Sequence, residues 1–174
     1  MRRRELLAAA GGALASGCGY ALQGRGITTD ASVKRIGVPL FKDRSGKLGL
    51  DSRVTQAVIE ELLKRGRFTI VKEITNVDAV VEGEVVSWSV VPVSFSGEAG
   101  ITQANRYAIA LTASVVYRKI GQQEPLWAND AFSQRDEYDM GENAQSYFDR
   151  EEQSIERLAA AFARSLVAAM LEAF

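Results

Sequence analysis

The sequence predicts an α+β fold in which two helices pack on one face of a mostly antiparallel sheet of about four strands. Three observations predict it. A short apolar segment is followed by an amphipathic helix, a run of strand-like segments comes next, and a long amphipathic helix closes the chain. The 174 residues are enough for one domain with a substantial core.

The first part of the domain is predicted to contain one strand and one helix. The strand covers 33–41, whose residues are mostly apolar and β-prone. After a polar loop, apolar residues spaced three and four apart predict a helix from about Asp51 to Arg65. Asp51 can cap its start, and Gly66 can take the left-handed conformation that ends a helix.

The middle of the chain is predicted to form strands. A bend or bulge is expected in the second of them, at Gly83, and Pro92 suits its end or its edge. Residues 94–104, with two glycines, are predicted to form a hairpin tip. The predicted strands are 68–71, 79–93, 107–117 and 126–137.

Apolar residues alternate along 107–117, which predicts one buried face for this strand. The residues between them, from Ala108 to Val116, are small and not strongly polar. The second face of the sheet must meet solvent, a ligand or a partner. Its composition favours a face that something covers.

The last helix is predicted from about Asp149 to Ala173. Asp149, Glu151 and Glu152 would lie in its first turn, where acidic side chains suit the helix dipole. Its polar face carries both signs of charge, which favours a helix that faces a core over one that lies on a membrane.

Residues 1–17 have the order of a secretory signal. Arginines at positions 2–4 precede an uncharged stretch that is too short to span a bilayer, and small residues then lead to Cys18. Cys18 is the only cysteine, and we predict that it is lipidated and becomes the first residue of the mature chain. Residues 18–32 would then be a tether and 33–174 a single domain.

Two questions about this N-terminus stay open. Cys18 could instead be a buried free cysteine in an ordinary N-terminal segment. The segment around Arg3 and Arg4 also resembles a twin-arginine signal, so the export route is not decided.

The composition excludes several classes of function. The chain has no histidine and a net charge of −1, so it lacks the commonest general base and the positive excess typical of nucleic-acid-binding proteins. Glu82 and Glu84 share a strand face but have no partner base, and we predict two solvent-facing acids. Gly46-Lys47 lacks the rest of a phosphate-binding loop. We therefore predict no enzyme activity, no metal and no cofactor.

A resemblance to a known family rests on five segments of the chain: Cys18–Gly26, Val33–Phe41, Glu60–Lys64, Asp78–Val85 and Tyr107–Tyr117. In this order they resemble the LptE family, lipopolysaccharide-assembly lipoproteins of the Gram-negative outer membrane. The resemblance implies two helices on a four-stranded sheet and a lipid anchor on the periplasmic side of the outer membrane. It also implies a complex with LptD, a β-barrel translocon that the lipoprotein plugs, helping it to assemble and to deliver lipopolysaccharide.

The residue after the cysteine bears on sorting, and the role of the protein has an alternative. Gly19, where an aspartate would retain such lipoproteins elsewhere, agrees with outer-membrane sorting in proteins that the chain resembles. The alternative to a plug is an independent lipoprotein that faces the periplasm and binds a small ligand or another envelope protein.

The resemblance also implies direct binding of lipopolysaccharide through basic residues near the hairpin tip and before the last helix. Arg106 and Arg150 are the candidates by position, and arginine can hold a phosphate through two parallel hydrogen bonds. Ordinary surface ion pairs are the alternative reading of both. Lys42, Arg44 and Lys47 form a second small basic loop with the same two readings.

Overall fold

The computed structural model describes residues 32–96, 103–139 and 144–172. Six strands and two helices alternate along these residues. In chain order they are β1 (Arg35–Gly37), β2 (Lys42–Asp43), α1 (Leu50–Lys64), β3 (Thr69–Val71), β4 (Ala79–Ser96), β5 (Gln103–Lys119), β6 (Trp127–Asp139) and α2 (Ala144–Glu172).

The strands form one mixed sheet in the order β3-β1-β4-β5-β6, with β2 also paired to β4. The contacts of β1 with β3 and β4, and of β2 with β4, are parallel, whereas β4–β5 and β5–β6 are antiparallel. The predicted α+β class is confirmed. The sheet is larger than the predicted four strands and is mixed, because three short parallel pairings accompany the two long antiparallel ones.

The difference arises in the predicted strand over 33–41, which forms two short strands instead of one. Pro39 lies between β1 and β2, and it has no N–H to donate to a neighbouring strand. Both short strands pair with the same edge of β4. The helix α1 then makes the crossover that a return to a parallel strand requires.

The two ends of the β4–β5 pair differ. The base end is where Ala79 of β4 pairs with Lys119 of β5, and the tip end is where Ser96 pairs with Gln103. Residues 97–102, the rest of the predicted hairpin tip, lie outside the described residues. The chain enters β1 and β3 at the base end, because both run parallel to the start of β4.

The helix termini partly follow the predictions. The helix α1 begins after Gly49, which has a φ of 77° and makes no side-chain cap, so the capping role predicted for Asp51 was wrong. Gly66 has a φ of 71°, as predicted for the end of this helix. The helix α2 begins at Ala144, which removes the predicted acidic residues from its first turn.

Both helices cover the same face of the sheet. The alternation along β5 is confirmed: Ile109, Leu111, Ala113, Val115 and Tyr117 are all buried against them. The two helices contribute Val54, Val58, Leu62, Leu158, Phe162 and Leu166 to the same core. Ion pairs from Arg53 of α1 to Glu152 and Glu156 of α2 connect the two helices at the surface.

Asp78 fastens the first strand to the base end. Its Oδ2 accepts hydrogen bonds from the backbone N–H groups of Lys34 and Arg35, each at 2.8 Å. These hydrogen bonds hold the pKa of Asp78 below its ordinary value of 3.8. The carboxylate therefore contributes stability that is complete above that ordinary value and is lost as the pH falls through the lowered pKa of the folded state.

Gly83 is required by the packing of Phe41 rather than by a bulge. A β-carbon at Gly83 would lie 2.5 Å from Cζ of the buried Phe41 ring and closer still to Cε2 and Cδ2. The register of β4 shifts further along, between Val85 and Ser87. The aromatic ring that follows Pro39 thus packs directly on the backbone of the central strand.

We predict that Gly83→Ala destabilises the domain by about 1–3 kcal/mol, because the added methyl group overpacks the Phe41 ring. Denaturant unfolding measures this cost. In a Phe41→Ala background the space is free, so the same change becomes neutral or stabilising, since alanine is the better strand residue. An equal cost in both backgrounds would show that Phe41 is not the cause.

Candidate functional site

The predicted lipid-attachment residue, Cys18, lies outside the described residues. Its lipidation therefore stays a prediction. The first described residue, Ser32, is at the base end, where its hydroxyl accepts a hydrogen bond of 2.8 Å from Nζ of Lys119.

The two arginines predicted for anion binding meet at the tip end. Nε of Arg106 on β5 donates to Oδ1 of Asp139 on β6 at 2.8 Å. Nη1 of Arg150 on α2 donates to the backbone carbonyl of the same aspartate at 3.3 Å. Because Arg106 is on the sheet face opposite the helices and Arg150 is on a helix, they approach the end of β6 from its two sides. The structure thus brings both candidates to one residue.

The charge at this end is nearly balanced. The hydrogen bond and the negative charge of Asp139 raise the pKa of Arg106 above its ordinary value, so this guanidinium stays ionised. The neighbouring cations also have acidic partners. Arg157 pairs with Asp136 at 2.9 Å, and Arg135 pairs with Glu137 at 2.8 Å. An anionic ligand must therefore compete with carboxylates for these arginines.

A polar cleft of about 300 Å³ lies between the end of β6 and α2. Arg150 and Arg157 line it from the helix, and the last residues of β6 line the other side. Tyr107 and Tyr138 close the core next to it, with stacked rings whose centroids are 5.9 Å apart. The cleft offers guanidinium donors beside acidic side chains, an arrangement suited to binding a polar group and not to covalent chemistry.

The sheet face opposite the helices is the second candidate. Neither α1 nor α2 covers it. Along its centre, β5 presents Ala110, Thr112, Ser114 and Val116, which are only half-buried. Hydrogen bonds connect this row to β6, from Thr112 to Ser133 and from Ser114 to Asp130. The row along the centre of β5 is therefore uncharged and open. Ion pairs flank it on the same face: Glu82–Arg118 and Glu84–Arg44 on one side, and Arg135–Glu137 and Arg106–Asp139 on the other.

The tip half of β4 adds exposed apolar groups to this face. Val91 is 48% exposed and Phe95 is 58% exposed. The last residue of β4 that pairs with β2 is Val85. Among the described residues, no strand pairs with that edge of β4 from Val86 onward. This stretch of backbone and side chains is available to a partner.

Two of the three cations in the basic loop predicted at residues 42–47 form ion pairs within the domain. Arg44 pairs with Glu84 at 2.6 Å, and Lys47 pairs with Glu151 of α2 at 2.8 Å. Nζ of Lys47 also lies 5.8 Å from the centre of the Trp88 ring, within cation–π range. Glu82 pairs with Arg118 at 3.0 Å. Glu82 and Glu84 thus each face a cation, and their role is structural.

Sequence reasoning missed Asp139, the residue on which both arginines converge. The predicted strand ends at residue 137, but β6 extends to Asp139 and pairs it with Arg106. The contact depends on the register between two strands. No local pattern around either residue signals it, and only the strand alternation, with the register known, could have found it.

Comparisons with known proteins are consistent with this geometry. A family model described as LptE, lipopolysaccharide-assembly, matches residues 33–170. No curated protein matches the chain significantly. Within the described residues, no helix is both long enough and apolar enough to cross a bilayer.

Among solved structures, a hypothetical protein from Chlamydia trachomatis is 11% identical with a TM-score of 0.53, over 82% of this chain and 100% of that one. A protein from Xanthomonas campestris is 10% identical with a TM-score of 0.52, over 83% and 90%. The rare lipoprotein B from Shewanella oneidensis is 13% identical with a TM-score of 0.47, over 79% and 93%. The first two likenesses show that the fold recurs.

Proposed function

Because the chain belongs to the LptE lipopolysaccharide-assembly family, we propose that it is a lipid-anchored, non-enzymatic plug of the LptD β-barrel in the outer membrane. Its role in lipopolysaccharide assembly follows from the family. The barrel partner, the anchor at Cys18 and the position on the periplasmic side of the outer membrane are the proposal.

The open sheet face is the observation that best supports the proposed role as a plug. A sheet with one face covered by helices leaves a broad surface for a partner. Here the central row of that surface, along β5, is uncharged and made mostly of small residues, with ion-paired charges on both sides of it. With 18 residues at about 3.3 Å each, β4 is about 60 Å long, which exceeds the hydrocarbon thickness of a bilayer. A rigid strand pair of this length suits the interior of a barrel.

A structural mechanism needs no reacting group. The chain has no histidine, and Glu82 and Glu84 are occupied by Arg118 and Arg44. The domain would act by filling space and by presenting its open face to barrel strands. Anchoring at Cys18 would hold it beside the membrane in which the barrel assembles.

Detergent extraction of the full chain from its native host tests this proposal. We expect a large β-barrel to co-purify in a fixed ratio, because a plug is a stoichiometric part of the complex. Mass spectrometry of the mature N-terminus should find an acylated Cys18. Depletion of the chain should also deplete the mature barrel.

The alternative, an independent envelope lipoprotein, makes the opposite prediction. The chain would then be recovered without a barrel, and its depletion would leave barrel levels unchanged. Either result would contradict the plug. An uncleaved, unacylated product would contradict the anchor alone.

We further propose that Arg106 and Arg150 bind a phosphate of lipopolysaccharide when that phosphate displaces the carboxylate of Asp139. Their convergence supports this, and a charge-assisted pair of hydrogen bonds suits a phosphate. The ordinary surface ion pair is the competing role.

The double variant Arg106→Ala/Arg150→Ala should bind lipopolysaccharide at least about tenfold more weakly, since hydrogen bonds to charged groups are lost. Asp139→Asn should bind more tightly, because it removes the competing carboxylate. Arg164→Ala, on an exposed part of α2, is the matched control and should bind normally. Unchanged affinity in the double variant would remove both arginines from the site.

A further inference from the structure

Basic side chains collect at the base end of the domain. Four elements bring them there: the start of β1, the end of α1, the approach to β3 and the end of β5. The parallel pairing of β1, β3 and β4 causes this, because it makes three strands start at the same edge of the sheet. The residues are Lys34, Arg35, Lys64, Arg65, Arg67 and Lys119.

The carboxylates at this end are mostly directed inward. The carboxylate of the buried Glu61 forms ion pairs with Nζ of Lys64 at 3.5 Å and with Nη2 of Arg65 at 3.6 Å. Asp78 is engaged by two backbone N–H groups. The exposed acids nearby are Glu60 on α1 and, in the flanking loops, Glu73 and Glu124.

The outer surface of the base end is therefore positive. In the part of the chain that the structure describes, no carboxylate forms an ion pair with Lys34, Arg35 or Arg67. The whole chain has a net charge of −1, so this excess is local. Arg106, Arg135 and Arg157 of the tip end, in contrast, are paired with acids.

Exposed apolar side chains lie at the same end. Leu63 is 52% exposed in the last turn of α1, Ile74 is 51% exposed after β3, and Ile120 is 45% exposed after β5. The N–H of Ile120 donates to the carbonyl of Asp78 at 2.8 Å, which fixes it next to the basic residues. Large apolar groups among exposed cations are what a protein presents to the interface of an anionic bilayer.

We propose that the base end is a membrane-contacting surface, whose cations bind the headgroups of anionic phospholipids while Leu63, Ile74 and Ile120 enter the interfacial region. This contact requires neither the barrel nor lipopolysaccharide.

The place where the N-terminal segment leaves the domain favours a bilayer as the partner of the base end. Ser32, held by Lys119, lies at this end, so the segment before it leaves from here. The roughly 14 residues from Cys18 to Ser32 span at most about 50 Å when extended. If Cys18 is acylated, as the proposed function holds, the basic surface stays close to the membrane and supplies a second binding signal beside the anchor.

The test uses the mature-length chain with Cys18→Ser, so that no acyl chain contributes. This chain keeps every residue of the hydrophobic core, which runs from Val33 to Leu171. Flotation is measured with vesicles of 70% phosphatidylcholine and 30% phosphatidylglycerol, and with pure phosphatidylcholine. We expect binding to the anionic vesicles only. That binding should fall steeply between about 50 and 500 mM salt, because salt screens the attraction between surface charges.

Lys34→Gln/Arg35→Gln removes two exposed cations without touching the backbone groups that Asp78 uses. Each cation near an anionic surface contributes about fivefold, so the pair should lower partitioning by about 30-fold. Lys42→Gln/Arg135→Gln makes the same charge change away from the base end and should bind normally. Ile120→Ser should weaken binding at both salt concentrations, and thermal unfolding checks that each variant is folded.

Equal binding to both kinds of vesicle would overturn the proposal, as would an equal loss in the control variant. A Lys34→Gln/Arg35→Gln chain that binds vesicles normally but no longer co-purifies with the barrel would show that the base end is a protein interface instead. The assay contains neither barrel nor lipopolysaccharide, so its failure leaves the plug untouched. Conversely, if the chain proves not to plug a barrel, the vesicle binding expected here is unchanged.

Discussion

The alternation of side chains along the central strand β5 is the constraint on which the rest of the structure depends. Every second residue from Ile109 to Tyr117 is buried beneath the two helices, and the residues between them face away from those helices. Because both helices use the same face, neither covers the opposite one, where only the base end around Val80 is buried by neighbouring chain. The small, uncharged residues along its centre are unusual for a surface that only meets water, and they support the proposed contact with a partner.

The same topology gives the two ends of the sheet different chemistry. At the base end three strands start, α1 ends and the N-terminal segment departs, so backbone termini and exposed cations gather there. At the tip end β6 delivers Asp139 between Arg106 and Arg150, which leaves the charge almost balanced. In the proposed arrangement, the base end would meet lipid headgroups while the open face meets the barrel.

Much of the fold could be predicted from the sequence, because helical and strand periodicities are local signals. The two helices, the three long strands β4, β5 and β6, and the buried face of β5 all follow from them. The parallel strands could not be predicted, since the split at Pro39 and the packing of Phe41 on Gly83 depend on contacts distant in the chain. For the same reason Arg106 and Arg150 could be named singly, but their meeting at Asp139 could not, because it depends on strand register.

The central claim is that the open sheet face is the surface that contacts the barrel. Site-specific photo-cross-linking in living cells tests it most directly, with the cross-linker placed at Ser89 or Thr112 on the open face and at Gln56 or Arg164 on the outer surfaces of the helices. The account predicts adducts of barrel mass from Ser89 and Thr112 and none from the helix positions. Adducts from Gln56 and Arg164 alone would contradict it, because the covered side of the sheet would then face the partner.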